Sequence, residues 1–152
     1  MSLKIGDIVP NFTAKDNNGE LFESKSVLGR KPLVIYFYPK DNTPGCTTEA
    51  CSFRDQYEDF KDLGAEVIGI SSDSVKSHHK FAAKYELPFI LLSDQDKSLR
   101  KLFGVRNNLF GLLPGRVTYI IDKNGLVISI FDSVNAAKHI PKALETVKEL
   151  VL

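Results

Sequence analysis

The chain has 152 residues, with 20 lysines and arginines against 19 aspartates and glutamates, for a net charge of +1 at neutral pH. That length predicts one domain, 1–152, able to bury roughly two thirds of its unfolded surface without a disulfide or metal staple. The 43% hydrophobic and 26% charged residues are ordinary for a globular protein, and no basic run suggests nucleic-acid binding.

The longest apolar runs, such as "PLVIYFYP", have the length of a strand. A bilayer span needs about 20 apolar residues, so no membrane segment is expected. "MSLKIGDIVPNF" lacks the apolar core of a signal peptide, and the chain is expected not to be secreted. Two cysteines without an export signal fit a reducing compartment: the cytoplasm, or an organelle interior if a transit peptide has been removed. There, cysteine pairs more often serve redox or metal chemistry than structural clamping.

In chain order, "NFTAKDNNGELFES" reads as a hairpin, with strands Phe12–Ala14 and Leu21–Glu23 about a turn at Asn18-Gly19. "KPLVIYFYP" is a strand buried on both faces and ended by Pro39. From Thr43 the period changes: Ala50, Phe53, Tyr57 and Phe60 make a helical stripe that Gly64 stops. "AEVIGISS" is a second buried strand. "SDSVKSHHKFAAKYELP" is a helix capped by Ser72 or Asp73 and ended before Pro88. "FILLSD" is a short strand and "KSLRKLFG" a short helix closed by Gly104. "RVTYIID" and "LVISIFD" form a hairpin turning at Asn124-Gly125. A last helix, from about Ala136, carries Ile140, Leu144, Val147 and Val151 on one face. The early βαβ unit demands parallel strands, and the closing hairpin adds antiparallel ones. The expected fold is α/β, a mixed central β-sheet flanked by helices with an N-terminal β-hairpin, close to a thioredoxin-like architecture.

Both cysteines lie in "PKDNTPGCTTEAC". Thr43 is a natural helix N-cap and Pro44 suits the first helical position. Cys46 then falls in the first turn, near free backbone N–H groups and the positive end of the helix dipole, an arrangement that favours a thiolate. Cys-x4-Cys lacks zinc spacing and is not Cys-x-x-Cys, so neither a metal site nor a thioredoxin-type redox motif is expected. The doublet His78-His79 reads as a solvated pair, and His139 as a surface residue at a helix start.

"PKDNTPGC" resembles the peroxiredoxin pattern Pro-x-x-x-Thr-x-x-Cys, and the Cys-x4-Cys of "CTTEAC" is similar to that of the peroxiredoxin Q or bacterioferritin comigratory protein subgroup. The resemblance runs on through "VIYFYP", "CSFRDQYEDFK", "GAEVIGISSDS", "LPFILLSD" and "GLLPGRVTYIIDKNG", with "LPGRVTY" most like plant and cyanobacterial members. It implies thiol-dependent reduction of hydrogen peroxide and organic hydroperoxides without metal, haem or flavin. Electrons would come from thioredoxin or glutaredoxin, and the protein would be a monomer or weakly associating. By the match, Cys46 is the peroxidatic and Cys51 the resolving cysteine, Thr43 binds peroxide and thiolate, Pro39 shields the sulfur, Arg116 is the site arginine, and Glu49 orients it. On the residues alone, Arg116 reads equally as a surface arginine at a strand start, and Cys51 as a small apolar residue on a helix. A thioredoxin-fold carrier or a non-enzymatic holdase are the alternatives.

If both cysteines lie on a regular helix, their Cα atoms are about 7.5 Å apart along the axis, about 140° apart around it, and about 8.6 Å apart overall. A disulfide tolerates only about 4.4 to 6.8 Å. The helix start must therefore unwind before the two sulfurs can join.

Overall fold

The computed structural model describes the chain except for residues 1, 106, 109–112, 134 and 152, and gives only the backbone of 107, 108, 113 and 114. The first residues of the "GLLPGRVTYIIDKNG" stretch therefore lie outside the described residues. The N-terminal hairpin joins β1 (Thr13–Asp16) to β2 (Leu21–Glu23). Its first strand runs to Asp16, past the Ala14 expected from sequence, because the Asp16 carboxylate organises the turn. It accepts the amides of Asn18 (2.8 Å) and Glu20 (3.1 Å).

β3 (Leu33–Phe37) is followed by helix α1 (Pro44–Asp62), β4 (Glu66–Ser71), α2 (Val75–Tyr85), β5 (Ile90–Ser93) and the short helix α3 (Ser98–Phe103). A small ladder of β6 (Asn107–Asn108) with β7 (Leu113–Pro114) precedes β8 (Val117–Ile121) and β9 (Val127–Asp132). A 3-10 turn at Ala136–Lys138 leads into α4 (His139–Val151). Seven strands form one mixed sheet in the order β2-β1-β5-β4-β3-β8-β9. β3, β4 and β5 run parallel, as the βαβ reading requires, and the flanking pairs are antiparallel.

The fully buried β3 feeds both faces of the sheet, since successive side chains alternate. Val34, Tyr36 and Tyr38 join the core under α1, α2 and α4, while Leu33, Ile35 and Phe37 join a second core with Leu99 and Phe103 of α3 and Phe12. The Tyr36 ring stacks on Phe53 of α1, with centroids 4.6 Å apart. It lies across Gly69, where an added Cβ would meet the tyrosine at 2.8 Å.

Four local expectations are corrected. The α2 cap is Ser74, whose hydroxyl accepts from the Ser77 amide at 3.1 Å; the Asp73 carboxylate instead bonds Ser71 and Asp41. His78 is wholly buried, so only His79 of the doublet is exposed. His139 does start α4, but it too is wholly buried. On α4, Ile140 and Val147 face the core while Val151, one turn further on, is 43% exposed.

Register sets the position of the site. Phe37, at the end of β3, pairs with Val117 at the start of β8, and Val117 pairs in turn with Asp132 at the end of β9. Residues just after β3, just before β8 and just after β9 thus meet at one edge of the sheet. This is the carboxyl end of the parallel strands, where open α/β sheets keep their ligands.

Candidate active site

The loop from Pro39 to Thr43 enters this edge and turns into α1. Thr43 is the N-cap residue and Pro44 opens the helix, as the local sequence signals indicate. The Thr43 hydroxyl does not cap, however. It donates to the Lys40 carbonyl at 2.8 Å, closing the loop on itself. The first intrahelical bond is Thr47 N–H to Thr43 C=O at 2.8 Å, so the amides of Gly45 and Cys46 lie ahead of it, at the positive end of the helix dipole.

Cys46 is 1% exposed, and its sulfur accepts a hydrogen bond from Arg116 Nη2 at 3.2 Å. The same guanidinium donates through Nη1 to Glu49 Oε1 at 2.5 Å. Arg116, Cys46 and Glu49 are therefore brought together, and all three are buried. Gly45 gives the guanidinium room: a Cβ there would lie 3.1 Å from Arg116 Nη2 and would press it aside by a few tenths of an ångström. A planar fork is what lets one arginine hold a carboxylate and a sulfur at once. Pro39 and Thr43 are partly buried beside this edge. Cys51 is partly buried further along α1, and both thiols are free.

Burial pushes the Glu49 carboxyl up to about 8, against the opposing pull of Arg116. Burial disfavours charge on Arg116, but Glu49 and Cys46 outweigh it and the net shift is upward. Glu49 Oε2 is buried without a hydrogen-bond partner among the described residues and lies 3.6 Å from His139 Nδ1. The His139 ring is fixed from both ends. Nε2 donates to the Ser133 carbonyl at 2.7 Å, and Nδ1 sits 2.7 Å from the Thr118 hydroxyl. Burial lowers its pKa, and the nearby guanidinium adds to the effect.

Three features of this edge are invisible in the sequence reading. Arg100 of α3 is buried and donates to the Tyr38 carbonyl (2.7 Å) and the Gly115 carbonyl (3.2 Å), so it ties the end of β3 to the approach to Arg116. His139 and Thr118 form the layer behind Glu49. Asp41 is buried with His78 behind the loop. Of these, only Asp41 lies in a segment that the motif singles out.

Comparison with known proteins gives a consistent picture. The model of the AhpC/TSA family matches residues 5–130. A chloroplastic peroxiredoxin Q of Triticum aestivum is 51% identical over 146 residues, covering 95% of this chain and 67% of that one. Its counterpart in Arabidopsis thaliana is 54% identical over 144 residues, covering 94% and 66%. Among solved structures, peroxidoxin BcpB of Mycobacterium tuberculosis superposes with a TM-score of 0.89 at 36% identity, covering 97% of this chain and 98% of that one. A Xanthomonas campestris peroxiredoxin Q does so at 0.87 and 35%, covering 99% and 98%. For the bacterioferritin comigratory protein of the same bacterium, matched at 0.88 and 34% over 99% and 98%, the reported structures concern alkyl peroxide reduction.

Proposed function

Because the chain belongs to the AhpC/TSA family and, within it, to the peroxiredoxins of the Q type, which makes it a thiol peroxidase, we propose that Cys46 is its peroxidatic cysteine and Cys51 its resolving one. The observation that carries the assignment is the buried Cys46 sulfur, in the first turn of α1 and 3.2 Å from a guanidinium nitrogen. A hydroperoxide is the substrate and a thiol is the reductant.

In the first step the Cys46 thiolate attacks the terminal peroxide oxygen. The O–O bond breaks and the second oxygen leaves as hydroxide or alkoxide, which takes a proton from solvent. Negative charge spreads over sulfur and both oxygens in the transition state. Arg116 and the amides of Gly45 and Cys46 are donors already aimed at that space, so little reorganisation is needed as charge develops. Glu49 fixes the guanidinium from the other side. The Thr43 hydroxyl has its hydrogen committed to Lys40, which leaves its oxygen lone pairs to accept the peroxide O–H. Pro39, without an N–H and partly buried at the end of β3, limits the approach of water.

The product is Cys46 sulfenic acid. The Cys51 thiolate attacks its sulfur, the S–O bond breaks, and the departing hydroxide takes up one proton and leaves as water, giving a Cys46–Cys51 disulfide. On the regular helix observed, the two Cα atoms would be about 8.6 Å apart, beyond the ~6.8 Å limit for a disulfide. Resolution therefore requires the first turns of α1 to unwind. Two electrons from a dithiol reopen the bond; thioredoxin, or glutaredoxin, is the donor proposed here. The working form is a monomer of one domain, 1–152, in a reducing compartment. The cytoplasm is one such place, and the chloroplastic relatives favour an organelle interior.

Intact mass after one equivalent of peroxide tests the assignment. Wild type should lose two hydrogens, Cys51→Ser should gain one oxygen and stall, and Cys46→Ser should be unchanged. Interchanged results for the two variants would reverse the roles.

A further inference from the structure

Asp41 stands between Pro39 and Thr43, yet it faces away from the peroxide site, into the protein. It is 4% exposed. Its carboxylate accepts from the Tyr38 hydroxyl (2.6 Å), the Ser77 hydroxyl (2.8 Å) and His78 Nδ1 (2.7 Å). Its backbone N–H donates to Asp73 Oδ2 at 2.8 Å. His78 is wholly buried and is held at its far end by the Leu92 carbonyl, 3.0 Å from Nε2. Both ring nitrogens thus lie within hydrogen-bond distance of an oxygen, one on each side of the ring. The donor atoms of Asp41, Asp73 and His78 cluster within 4.8 Å, as in a metal site. Here, though, they are engaged with one another and with neighbouring hydroxyls, so the group reads as a clamp.

The partners of the clamp belong to the residue just after β3, to the turn after β4, to α2 and to β5. None belongs to α1. Releasing the first turns of α1 therefore leaves every bond of the clamp in place. Immediately after it, Asn42 has a φ of +63°, the left-handed region, which asparagine enters more readily than other residues with a side chain and which turns the chain sharply there. The chain thus passes from a residue held through its carboxylate and its N–H, through one residue in the left-handed turn, to a helix start that has to come apart.

We propose that Asp41 and His78 are positioning residues for the peroxide step: they hold the Pro39–Thr43 loop in its substrate-ready form and set the upstream limit of helix unwinding, with Asn42 as the hinge. The proposal rests on the roles given above to Cys46 and Cys51. It makes the switch asymmetric. One side of Cys46 moves, and the other stays as the template on which the helix rewinds after each turnover.

Two measurements test this. In wild type, amide exchange of the oxidised protein should remain slow at Asp41 while becoming fast across 45–53. Fast exchange at Asp41 in the oxidised form would overturn the hinge. In Asp41→Asn, stopped-flow should show the oxidation of Cys46 by hydrogen peroxide slowed by at least about tenfold, the equivalent of one lost charged hydrogen bond. The later closure of the disulfide should stay within about twofold of wild type, because the clamp does not restrain α1. A merely structural role would slow neither phase selectively, so equal slowing of both, or an unchanged peroxide phase, would overturn the proposal. His78→Gln, which can meet only one of its two acceptors, should repeat the pattern and serves if Asp41→Asn does not fold. If mass measurement found no Cys46–Cys51 disulfide, the resolving role of Cys51 would fail. The peroxide phase of the variants would still decide the clamp.

Discussion

The two ends of α1 are held by different forces. Its last three turns are fastened by aromatic packing: Phe53 and Phe60 are wholly buried, and Phe53, Tyr57 and Phe60 meet the rings of Tyr36, Phe89 and one another. Its first turns bury only the small side chains Cys46 and Ala50 in the core and add polar contacts, Arg116 to Cys46 and Glu49. Hydrophobic packing is lost only when a whole side chain leaves the core. A polar contact can be exchanged for water at little net cost. One helix thus combines a permanent half with a half that can be released, and the boundary falls at Phe53, whose ring stays in the core while its amide loses its hydrogen-bond partner in the released turn.

The sharpest way to break this contrast is to weaken the permanent half. Phe53→Ala should lower global stability by about 3 to 5 kcal/mol, as expected for removing a buried phenyl ring. Denaturant unfolding would measure it, and a loss below about 1 kcal/mol would mean that the aromatic half does not anchor the helix. The next effect lies in the releasable half. Arg116→Ala should slow the oxidation of Cys46 by at least about tenfold, or about 1.4 kcal/mol of transition-state stabilisation, with the fold intact. A stopped-flow rate equal to wild type would remove Arg116 from the chemistry.

The smallest effect is a pH dependence. Folding of the first turns raises Glu49 from 4.5 to about 8, with burial as the main cause and Arg116 opposing it. The group is raised, so the folded turns are most stable relative to the unwound ones below the unfolded value. They lose stability as pH rises from about 4.5 to about 8, by at most about tenfold in the equilibrium per pH unit. In Cys46→Ser, where no disulfide forms, amide exchange across 45–53, corrected for its intrinsic pH dependence, should reveal more opening at pH 8 than at pH 6. Glu49→Gln should abolish that difference, and its persistence would assign the effect to another group.

The parts of the site carried by local signals were legible in the sequence. The N-cap position of Thr43, though not the side-chain cap expected of it, the proline at the first helical position and the cysteine in the first turn follow from short-range rules. Arg116 was legible only through the resemblance, because sheet register brings it to the sulfur from 70 residues away. The histidines were misread for the same reason. A polar residue on a helix reads as solvated until its partners are known, and those partners are remote: Asp41 for His78, 37 residues earlier, and Thr118 for His139, 21 earlier. The misplaced α2 cap has a different cause. Ser72, Asp73 and Ser74 are all competent caps by type, and Asp73 is excluded only because its carboxylate is engaged with the Asp41 loop.

The most direct test of the two-part helix is amide hydrogen exchange along α1 in the reduced and the peroxide-oxidised protein, with the disulfide confirmed by mass. Exchange across 45–53 should be much faster in the oxidised form, while 54–62 should keep its protection in both. Equal protection of 45–53 in the two states would contradict the unwinding mechanism.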